Sequence, residues 1–442
     1  MHLDDVYEVS TQGVMLLGGH DVRELVREYG SPLIVMLEER IRTNCRAYLK
    51  QIECYPRSRV YYASKAFLTT GMCRLMQSEE MGLDVASEGE LQTALAAGFP
   101  AADILMHGNA KTTAELELAL RSNVGRIVID NLEEIDRLSE IAAALGRRAR
   151  VMIRVTPGVR PSTHRYVQTG QRDSKFGFNL DGGAAHRAVE RVLAASALEL
   201  VGLHCHIGSQ IFSGKPFAIA ARTMMEFYAR VKKDMGAPLD ELDMGGGLGI
   251  RYSPDDFPPS VKEHIDNLCS SVLEASHDLG VDPPVLCDEP GRSIVGRAGV
   301  TLYTLQSTKR IAGIRNYASV DGGMTDNPRY ALYGARHQVL AADRLGDPAD
   351  GLWSISGRCC ESGDMLIHDA RLPDLRAGDI VALMCTGAYT YSMASNYNRV
   401  ARPAVVLVAP GRSALLARRE SADDLLRLDS MPAWLENGEG SA

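Results

Sequence analysis

The chain has 442 residues, of which 45% are apolar and 24% charged, so it is long enough for two or three globular domains. Its 48 Lys and Arg residues face 56 Asp and Glu residues, and the net charge of −8 with no basic stripe argues against a nucleic-acid partner. The acidic residues 1–5 do not form a secretory signal, and nine cysteines, two of them adjacent at 359–360, do not form a disulfide framework. These features predict a cytoplasmic protein.

A regular alternation of strand-like and helix-like segments runs through the first 300 residues. The apolar or β-branched runs typical of strands are residues 60–66, 83–86, 104–107, 126–130, 150–156, 200–207, 239–244 and 285–287. The segments between them with helical periodicity include residues 89–97, 114–121, 132–145, 184–195, 217–235 and 261–279. Eight strands alternating with helices favour a (β/α)₈ barrel, while an open doubly wound sheet stays the alternative because periodicity does not show closure.

The pattern changes after about residue 300. Short strand-like stretches separated by Gly, Pro and Asp clusters occur at residues 300–305, 318–320, 351–355, 380–383 and 404–408, with a turn-rich link at 371–378. They predict a mostly antiparallel β-sandwich or barrel domain built from residues 1–36 and 301–442, beside a barrel of residues 37–300. Residues 436–442 read as a disordered tail. The longest late apolar run, residues 404–409, is far short of the roughly 20 residues that span a bilayer.

The polar residues that could carry chemistry concentrate where the predicted strands end. In a (β/α)₈ barrel these C-terminal strand ends form the active site, and phosphate often binds near strands seven and eight. In chain order the residues are Lys65, Asp84, Ser87, His107, Asn109, His204, His206, the glycine run at 245–249 (GGGLG), Glu289 and Arg292.

Each of these residues also has an ordinary structural explanation. A lysine at a strand end is usually solvated, a glycine run can be a tight turn, and Glu289 can be a surface acid. His204 and His206 would share one strand face, which suits a zinc pair, hydrogen-bonded core histidines or an imidazole stacked on a cofactor ring; no third ligand accompanies them, so we expect no metal. Together, an imine-forming lysine, an anion-binding glycine loop, a stacking imidazole and an acid for a protonated ring nitrogen indicate a pyridoxal phosphate site.

Longer motifs carry a family resemblance. They are residues 61–66 (YYASKA), 163–166 (THRY) with 175–177 (KFG), 204–210 (HCHIGSQ), 245–249, 289–293 (EPGRS), 329–333 (RYALY), 360–364 (CESGD) and 387–398. From about residue 30 to 410 the chain resembles the fold-type III pyridoxal-phosphate-dependent decarboxylases, in particular their diaminopimelate decarboxylase branch. The resemblance implies an N-terminal (β/α)₈ barrel, a C-terminal β domain and a homodimer with active sites shared between subunits.

The resemblance also implies a role for each matching residue. Lys65 binds the cofactor covalently, His204 stacks on its ring, Glu289 pairs with the pyridine nitrogen, and Cys360 of the other subunit donates a proton. The further residues implied in cofactor binding, chiefly of the phosphate, are Ser209, Gly247, Gly249, Gly291, Arg292 and Tyr389, with the amides of residues 289–292. Those implied in substrate binding are Arg292, Arg329, Tyr333, Glu361 and Tyr389.

The implied activity is decarboxylation of meso-2,6-diaminopimelate to L-lysine and CO₂, the last step of lysine biosynthesis. Paired arginine and glutamate suit such a substrate, because a bidentate arginine binds a distal carboxylate and Glu361 a distal ammonium. The alternatives are a basic amino-acid (ornithine or lysine) decarboxylase, a carrier-linked glutamyl decarboxylase, and a catalytically silent cofactor-binding homologue. The silent homologue would be expected to lack Lys65 or Cys360, and both are present.

Three stretches depart from the family pattern. Phe67 stands where an Asn usually follows Lys-Ala, residues 357–359 (GRC) replace Gly-Pro-x, and residues 325–328 (TDNP) replace a more apolar run. These departures bear on the shape of the substrate pocket rather than on the cofactor.

Overall fold

The computed structural model describes residues 6–159 and 173–436 of the chain. The N-terminal segment forms a small antiparallel sheet of β1 (Glu8–Val9), β2 (Met15–Leu17) and β3 (His20–Asp21), followed by helix α1 (Val22–Tyr29) and strand β4 (Leu33–Leu37). The sequence predicted only strands and turns here, so α1 is a correction. Asp21 caps this helix by accepting from the Arg23 amide, and Val22, Leu25, Val26 and Tyr29 recur at helical spacing on its core-facing side.

Eight parallel strands form a closed barrel, as predicted. They are β5 (Ser58–Ala63), β6 (Gly82–Val85), β7 (Ile104–Met106), β8 (Arg126–Ile129), β9 (Ala149–Thr156), β11 (Leu198–His204), β12 (Glu241–Asp243) and β13 (Val285–Asp288), with β10 (Phe178–Asn179) pairing outside the ring on β9. The ring closes where the last barrel strand, β13, pairs with the first, β5. The motif at residues 163–166 lies outside the described residues.

Helices cover the outside of the barrel. They are α2 (Glu38–Ile52), α3 (Thr70–Ser78), α4 (Glu88–Ala96), α5 (Thr113–Arg121), α6 (Leu132–Ala144), α7 (Ala184–Ala194), α8 (Lys215–Met235) and α9 (Val261–Leu279). The six predicted helices lie within two residues of their expected bounds, and α2 and α3 are additional. Ser87, Thr112, Asn131 and Ser260 cap four of them through their side chains, which fixes where each helix begins after its loop.

Side chains fill the N-terminal half of the barrel interior. A cluster of buried residues, Tyr61, Leu105, Val128, Met152, Val201 and Cys287, packs there. Beside it the guanidinium of Arg126 donates to the Glu241 carboxylate at 2.6 Å, both side chains being almost fully buried. The interior is therefore packed rather than open at this end, and the polar residues at the opposite strand ends can form a site.

A second, mostly antiparallel sheet follows the barrel. Helix α10 (Arg292–Val295) leads into β14 (Gly299–Ile311), β15 (Arg315–Val320), β16 (Val339–Ala341), β17 (Gly351–Ser356), β18 (Met365–Leu372), β19 (Ile380–Leu383), β20 (Ala404–Ala409) and β21 (Arg412–Ala417). Short helices α11 (Arg329–Tyr333), α12 (Ala422–Leu426) and α13 (Ala433–Glu436) complete the described chain. All five predicted strands are present, although β15 and β17 pair in parallel, as do β4 and β20.

The N-terminal segment joins this second sheet. Strand β4 lies between β14 and β20, with Leu33 opposite Leu302 on one side and Ala404 on the other. The domain boundaries at residues 36 and 300 remain a prediction. The predicted tail lies outside the described residues except for Glu436, and within the described ranges no helix is long and apolar enough to cross a membrane.

Candidate active site

Lys65 lies in a single 3₁₀ turn immediately after strand β5. Its Nζ is 2.6 Å from Oδ2 of Asp84, which is buried at the end of β6. The lysine side chain is 43% exposed because its amine faces a cavity. Burial by the barrel lowers the pKa of Lys65, but the carboxylates of Asp84 and Glu289 outweigh this and hold it above the usual value. The Lys65 amine is thus kept protonated and in a fixed position, with the Asp84 carboxylate beside it as a proton acceptor.

This cavity lies at the barrel mouth, where the strands end. Its lining residues are Ala63, Lys65, His206, Ser209, Gly246, Gly247, Leu248, Glu289, Gly291, Arg292, Ser293 and Tyr389. They come from the ends of strands β5, β11, β12 and β13 and from the loop before β20. Seven residues predicted from the sequence are among them, so the barrel does bring these side chains together.

Glycines shape one wall of the cavity. Gly247 has a φ of +128°, and a Cβ there would overlap the Gly208 carbonyl, while a Cβ on Gly246 would overlap the carbonyl of Glu289. Within the described part of the chain, the amides of Gly247 and Leu248 donate no hydrogen bond. Bare amides on a close-packed loop, beside the first amides of helix α10, are the usual setting for a bound phosphate.

Gly249, for which a phosphate contact was predicted, does not line this cavity. Its amide donates to the Ile211 carbonyl at 3.0 Å, and a Cβ on it would overlap the ring of Phe212. Close packing of the loop therefore explains this glycine. The position next to the cavity is taken by Gly246, which the glycine run contained but the prediction did not select.

Glu289 is the buried acid at the base of the cavity, and two imidazoles bracket it. His107 Nε2 lies 2.7 Å from Oε1, and His204 Nε2 lies 3.4 Å from Oε2. Burial raises the pKa of Glu289, yet these two histidines outweigh burial and hold the pKa well below its usual range. Oε1 has no aligned hydrogen-bond partner among the described residues. A buried carboxylate that stays ionised at the cavity can also accept from a protonated ring nitrogen, so the residues present fit pyridoxal phosphate.

His107, His204 and Glu289 also have the composition of a metal site, with ligand atoms within 4.8 Å of one another. Two ligands bound to zinc at about 2.0–2.1 Å in tetrahedral geometry stand more than 3 Å apart. The 2.7 Å between His107 and Glu289 is shorter than this spacing. Direct contact between imidazole and carboxylate explains the cluster better than a metal does.

The structure separates the two histidines of the predicted pair. Strand β11 ends at His204, so the two histidines do not share a strand face. His204 is 1% exposed and packs edge-on against His107 behind Glu289, whereas His206 lines the cavity. Burial lowers the pKa of His204 to about 4, so at neutral pH it is an uncharged neighbour of Glu289.

Two buried arginines lie together at one side of the cavity, Arg292 in its lining and Arg329 over the ring of the lining residue Tyr389. Arg292 donates to Ser209 Oγ at 3.0 Å and to the Tyr252 hydroxyl at 2.6 Å, and its guanidinium lies 4.7 Å from the Tyr389 ring. Arg329 lies over the same two rings, Tyr252 at 5.5 Å and Tyr389 at 5.9 Å. In the described ranges neither arginine forms a salt bridge. Two cations without an acid at one cavity form a site for a ligand carboxylate.

The third predicted group at this side, Tyr333, lies 5.3 Å from the Arg329 guanidinium at the end of α11. Residues 325–328, which depart from the family pattern, help to position the same arginine. Asn327 Oδ1 accepts from the Arg329 amide at 3.3 Å, and Asp326 accepts from the Gly323 amide at 2.8 Å. These polar residues hold the turn that begins α11 and so position Arg329.

Cys360 and Glu361 do not line the cavity of their own chain. Both are exposed on a loop where the Cys360 amide donates to Asn398 Oδ1 at 2.9 Å. Asp364 holds this loop, since its Oδ2 accepts from the Cys359 amide at 2.7 Å and a Cβ on Gly357 would overlap it. The departure at residues 357–359 is therefore part of a fixed turn that presents Cys360 outward.

Phe67, the remaining departure from the family pattern, is a buried residue with a packing role. Its ring packs edge-on against Tyr391 at 6.0 Å, and its carbonyl accepts from the Tyr62 hydroxyl at 2.7 Å. Beside it, the Ala66 carbonyl accepts from the Tyr389 amide at 2.9 Å. These contacts join the turn that carries Lys65 to the loop that carries Tyr389.

Sequence reasoning selected His206 as a candidate but missed Tyr252 and Arg154. Tyr252, which contacts both arginines, lies in a loop with no motif around it. Arg154, at the end of β9, lies 4.4 Å from the Phe176 ring and 3.7 Å from Asp130 Oδ1. Its position near the end of a barrel strand was the available signal, since catalytic groups of such barrels lie at these strand ends.

Comparisons with known proteins show to which family the chain belongs. Residues 38–296 match the family described as pyridoxal-dependent decarboxylase, pyridoxal binding domain. Diaminopimelate decarboxylase of Bacillus subtilis is 45% identical over 97% of this chain and 98% of its own, and that of Mycobacterium tuberculosis is 42% identical over 94% and 95%. The crystal structure of diaminopimelate decarboxylase from M. jannaschii in complex with L-lysine has a TM-score of 0.92 and 34% identity, covering 98% and 100% of the two chains. The chain belongs to the pyridoxal-dependent decarboxylase family, in its diaminopimelate decarboxylase branch.

Proposed function

We propose that this protein decarboxylates meso-2,6-diaminopimelate to L-lysine and CO₂ with pyridoxal 5′-phosphate as cofactor. The observation that carries the proposal is the pair of buried arginines, Arg292 and Arg329, beside the cavity that Lys65 enters. A substrate with a second carboxylate supplies the anion these cations lack. The relatives named diaminopimelate decarboxylases, at 42–45% identity over nearly the whole chain, support the same substrate.

The residues that would hold the cofactor surround the cavity. Lys65 would bind its aldehyde carbon, the amides of Gly247 and Leu248 its phosphate, and Glu289 its ring nitrogen. His206 would lie against the ring face. When bound, pyridoxal phosphate supplies the electron sink that stabilises the carbanion left by loss of CO₂.

Asp84 is the residue that would exchange a proton with the Lys65 amine. Its Oδ2, 2.6 Å from Nζ, can accept the amine proton when the lysine acts as a nucleophile and return it afterwards. Asp84 is 1% exposed, so its carboxylate is shielded from bulk water on the side away from Lys65. At the base of the cavity Glu289 remains ionised beside His107 and His204, which suits it to keep a ring nitrogen protonated.

The far end of the substrate would be selected by charge. Arg292 and Arg329 would bind the distal carboxylate next to Tyr333, and Glu361 would bind the distal ammonium. Cys360 would return a proton to the carbon that loses CO₂. A basic amino-acid decarboxylase would need an acid in place of these arginines, which disfavours ornithine or lysine as the substrate.

We further propose a homodimer in which each cavity is completed by the partner chain. The exposed positions of Cys360 and Glu361, outside the cavity of their own chain, support this arrangement. We also propose a cytoplasmic location, since all nine cysteines are free thiols, the state maintained in a reducing compartment.

A substrate panel tests the proposed function. Purified enzyme with pyridoxal phosphate is assayed for CO₂ release from meso-diaminopimelate, LL-diaminopimelate, lysine and ornithine. Preferred release from the meso isomer, with L-lysine as product, is expected. Preferred release from ornithine or lysine would replace the proposal by the basic amino-acid alternative, and cofactor binding without CO₂ release would favour the silent homologue.

A further inference from the structure

His107 is a buried histidine that the proposed chemistry does not yet use. It follows strand β7, is 5% exposed, and its amide donates to the Val85 carbonyl at 2.7 Å, which anchors its backbone beside strand β6. Its Nε2 lies 2.7 Å from Glu289 Oε1 and 3.7 Å from Asp84 Oδ1. One imidazole nitrogen therefore lies between the acid assigned to the ring nitrogen and the acid that contacts Lys65.

The chemistry of this contact defines what His107 can do. Two carboxylate oxygens face Nε2, so this nitrogen must carry a proton, because a lone pair there would repel both acids. The imidazole packs edge-on against His204 with ring centroids 4.7 Å apart, which leaves it little freedom to turn away. Nε2 and Oε1 are close but not aligned for a hydrogen bond, so the interaction is chiefly electrostatic.

We propose that His107 is a positioning residue, which keeps Glu289 ionised and oriented toward the ring nitrogen of the cofactor. The inference rests on the proposed function, since it assumes that Glu289 meets that nitrogen. His107 itself touches neither cofactor nor substrate, because the cavity lining includes Glu289 but not His107. Its effect reaches the cofactor only through the carboxylate.

A cofactor analogue separates this role from simple packing. The carbocyclic analogue of pyridoxal phosphate, in which a CH group replaces the ring nitrogen, keeps the aldehyde and the phosphate but cannot meet Glu289. Dissociation constants of both compounds are measured by equilibrium dialysis for the wild type and for His107→Phe, which keeps a flat ring without the N–H. No turnover enters this measurement.

We expect His107→Phe to weaken binding of pyridoxal phosphate by about tenfold, the order of effect when a polar partner of a buried carboxylate is lost. Binding of the carbocyclic analogue is expected to remain at the wild-type value. His107→Gln, which keeps an N–H but no ring, is expected to show a smaller loss for pyridoxal phosphate alone. It also serves as the test variant if the Phe variant does not fold.

The matched control is His264→Phe. His264 is equally buried, and its Nε2 lies 3.3 Å from Asp288 Oδ1, one residue before Glu289 but outside the cavity lining. This variant should bind both compounds as the wild type does.

Two outcomes overturn the inference. Equal losses for the two compounds in the His107 variants would make His107 a packing residue, and an unchanged affinity for pyridoxal phosphate would remove the role altogether. A different result, a wild type that binds the two compounds equally, would instead refute the contact between Glu289 and the ring nitrogen in the proposed function. The wild-type and variant measurements thus separate the two failures.

Discussion

Replacing Arg329 by alanine tests how the enzyme recognises its substrate. The Arg329 side chain is 7% exposed and lies among the rings of Tyr252, Tyr333 and Tyr389 at 5.3–5.9 Å. Burial lowers the pKa of its guanidinium, since no acid in the described part of the chain pairs with it. The interaction it can offer is therefore reserved for a ligand, and the alanine variant should lose recognition rather than stability.

The structure also sets the size of the effect. Removing one partner of a buried charged pair costs about 2–5 kcal/mol. Arg292 lies over the same two rings and would keep one cation beside the substrate carboxylate. We therefore expect the lower part of that range, about 2–3 kcal/mol, which is roughly a 30- to 150-fold fall in kcat/KM for meso-diaminopimelate.

The assay pairs kinetics with an inhibitor that lacks the recognised group. Most of the loss should fall on KM, because the distal carboxylate does not change during the reaction. Cadaverine has two amines at the same spacing and no carboxylate, so its inhibition constant should be unchanged. Arg344→Ala is the matched control, since this partly exposed arginine pairs with Asp379 at 2.5 Å outside the cavity lining.

The reasoning would be refuted by kcat/KM close to that of the wild type. It would also be refuted if cadaverine inhibition weakened in parallel with substrate turnover, because the variant would then have disturbed the whole pocket. An unchanged visible absorbance of the bound cofactor is required in either case, and its loss would place Arg329 in the cofactor site.

Three further predictions concern the lysine, the subunits and pH. Borohydride reduction of the loaded enzyme should place the pyridoxyl group on Lys65, as read by peptide mass spectrometry; an adduct on another lysine contradicts the assignment. Lys65→Ala and Cys360→Ala homodimers should each be nearly inactive, and reassembling them together should restore activity in proportion to the heterodimer fraction seen by native mass spectrometry. Confirmed heterodimers without activity would place both residues in one chain's site. Because burial lowers the pKa of His204 to about 4, the unfolded chain binds a proton that the folded chain does not between about pH 6.5 and 4. Stability should therefore fall as pH falls through this window, and a His204→Asn variant should show a shallower decline in thermal midpoint; equal slopes would contradict the shift.

The barrel strands could be predicted because each one is buried on both faces. Residues 127–129 (IVI) of β8, for example, are almost fully buried, so the strand appears in the sequence as an unbroken apolar run. The closure of these strands into a barrel could not be predicted from such local patterns. It depends on pairings between distant segments, such as Asp288 of β13 with Val60 of β5, and no local periodicity reports them.

The positions of His204 and His206 could not be predicted from the local sequence pattern. Alternation would place His204 and His206 on one face only if the strand continued through both. The strand ends at His204, and the chain then turns so that His206 reaches the cavity while His204 lies behind Glu289. The end of a strand depends on its neighbours' hydrogen bonds, which the sequence does not display.

By itself, the sequence determined which polar residues follow the barrel strands, because strand ends and short motifs are local features of the chain. Lys65, Glu289 and Arg292 could be selected in that way and do line one cavity. Only the tertiary structure decided their partners. His107 reaches Glu289, and Tyr252 reaches Arg329, across more than 70 residues of chain, since barrel closure and the docking of the second sheet bring together side chains that no spacing in the sequence connects.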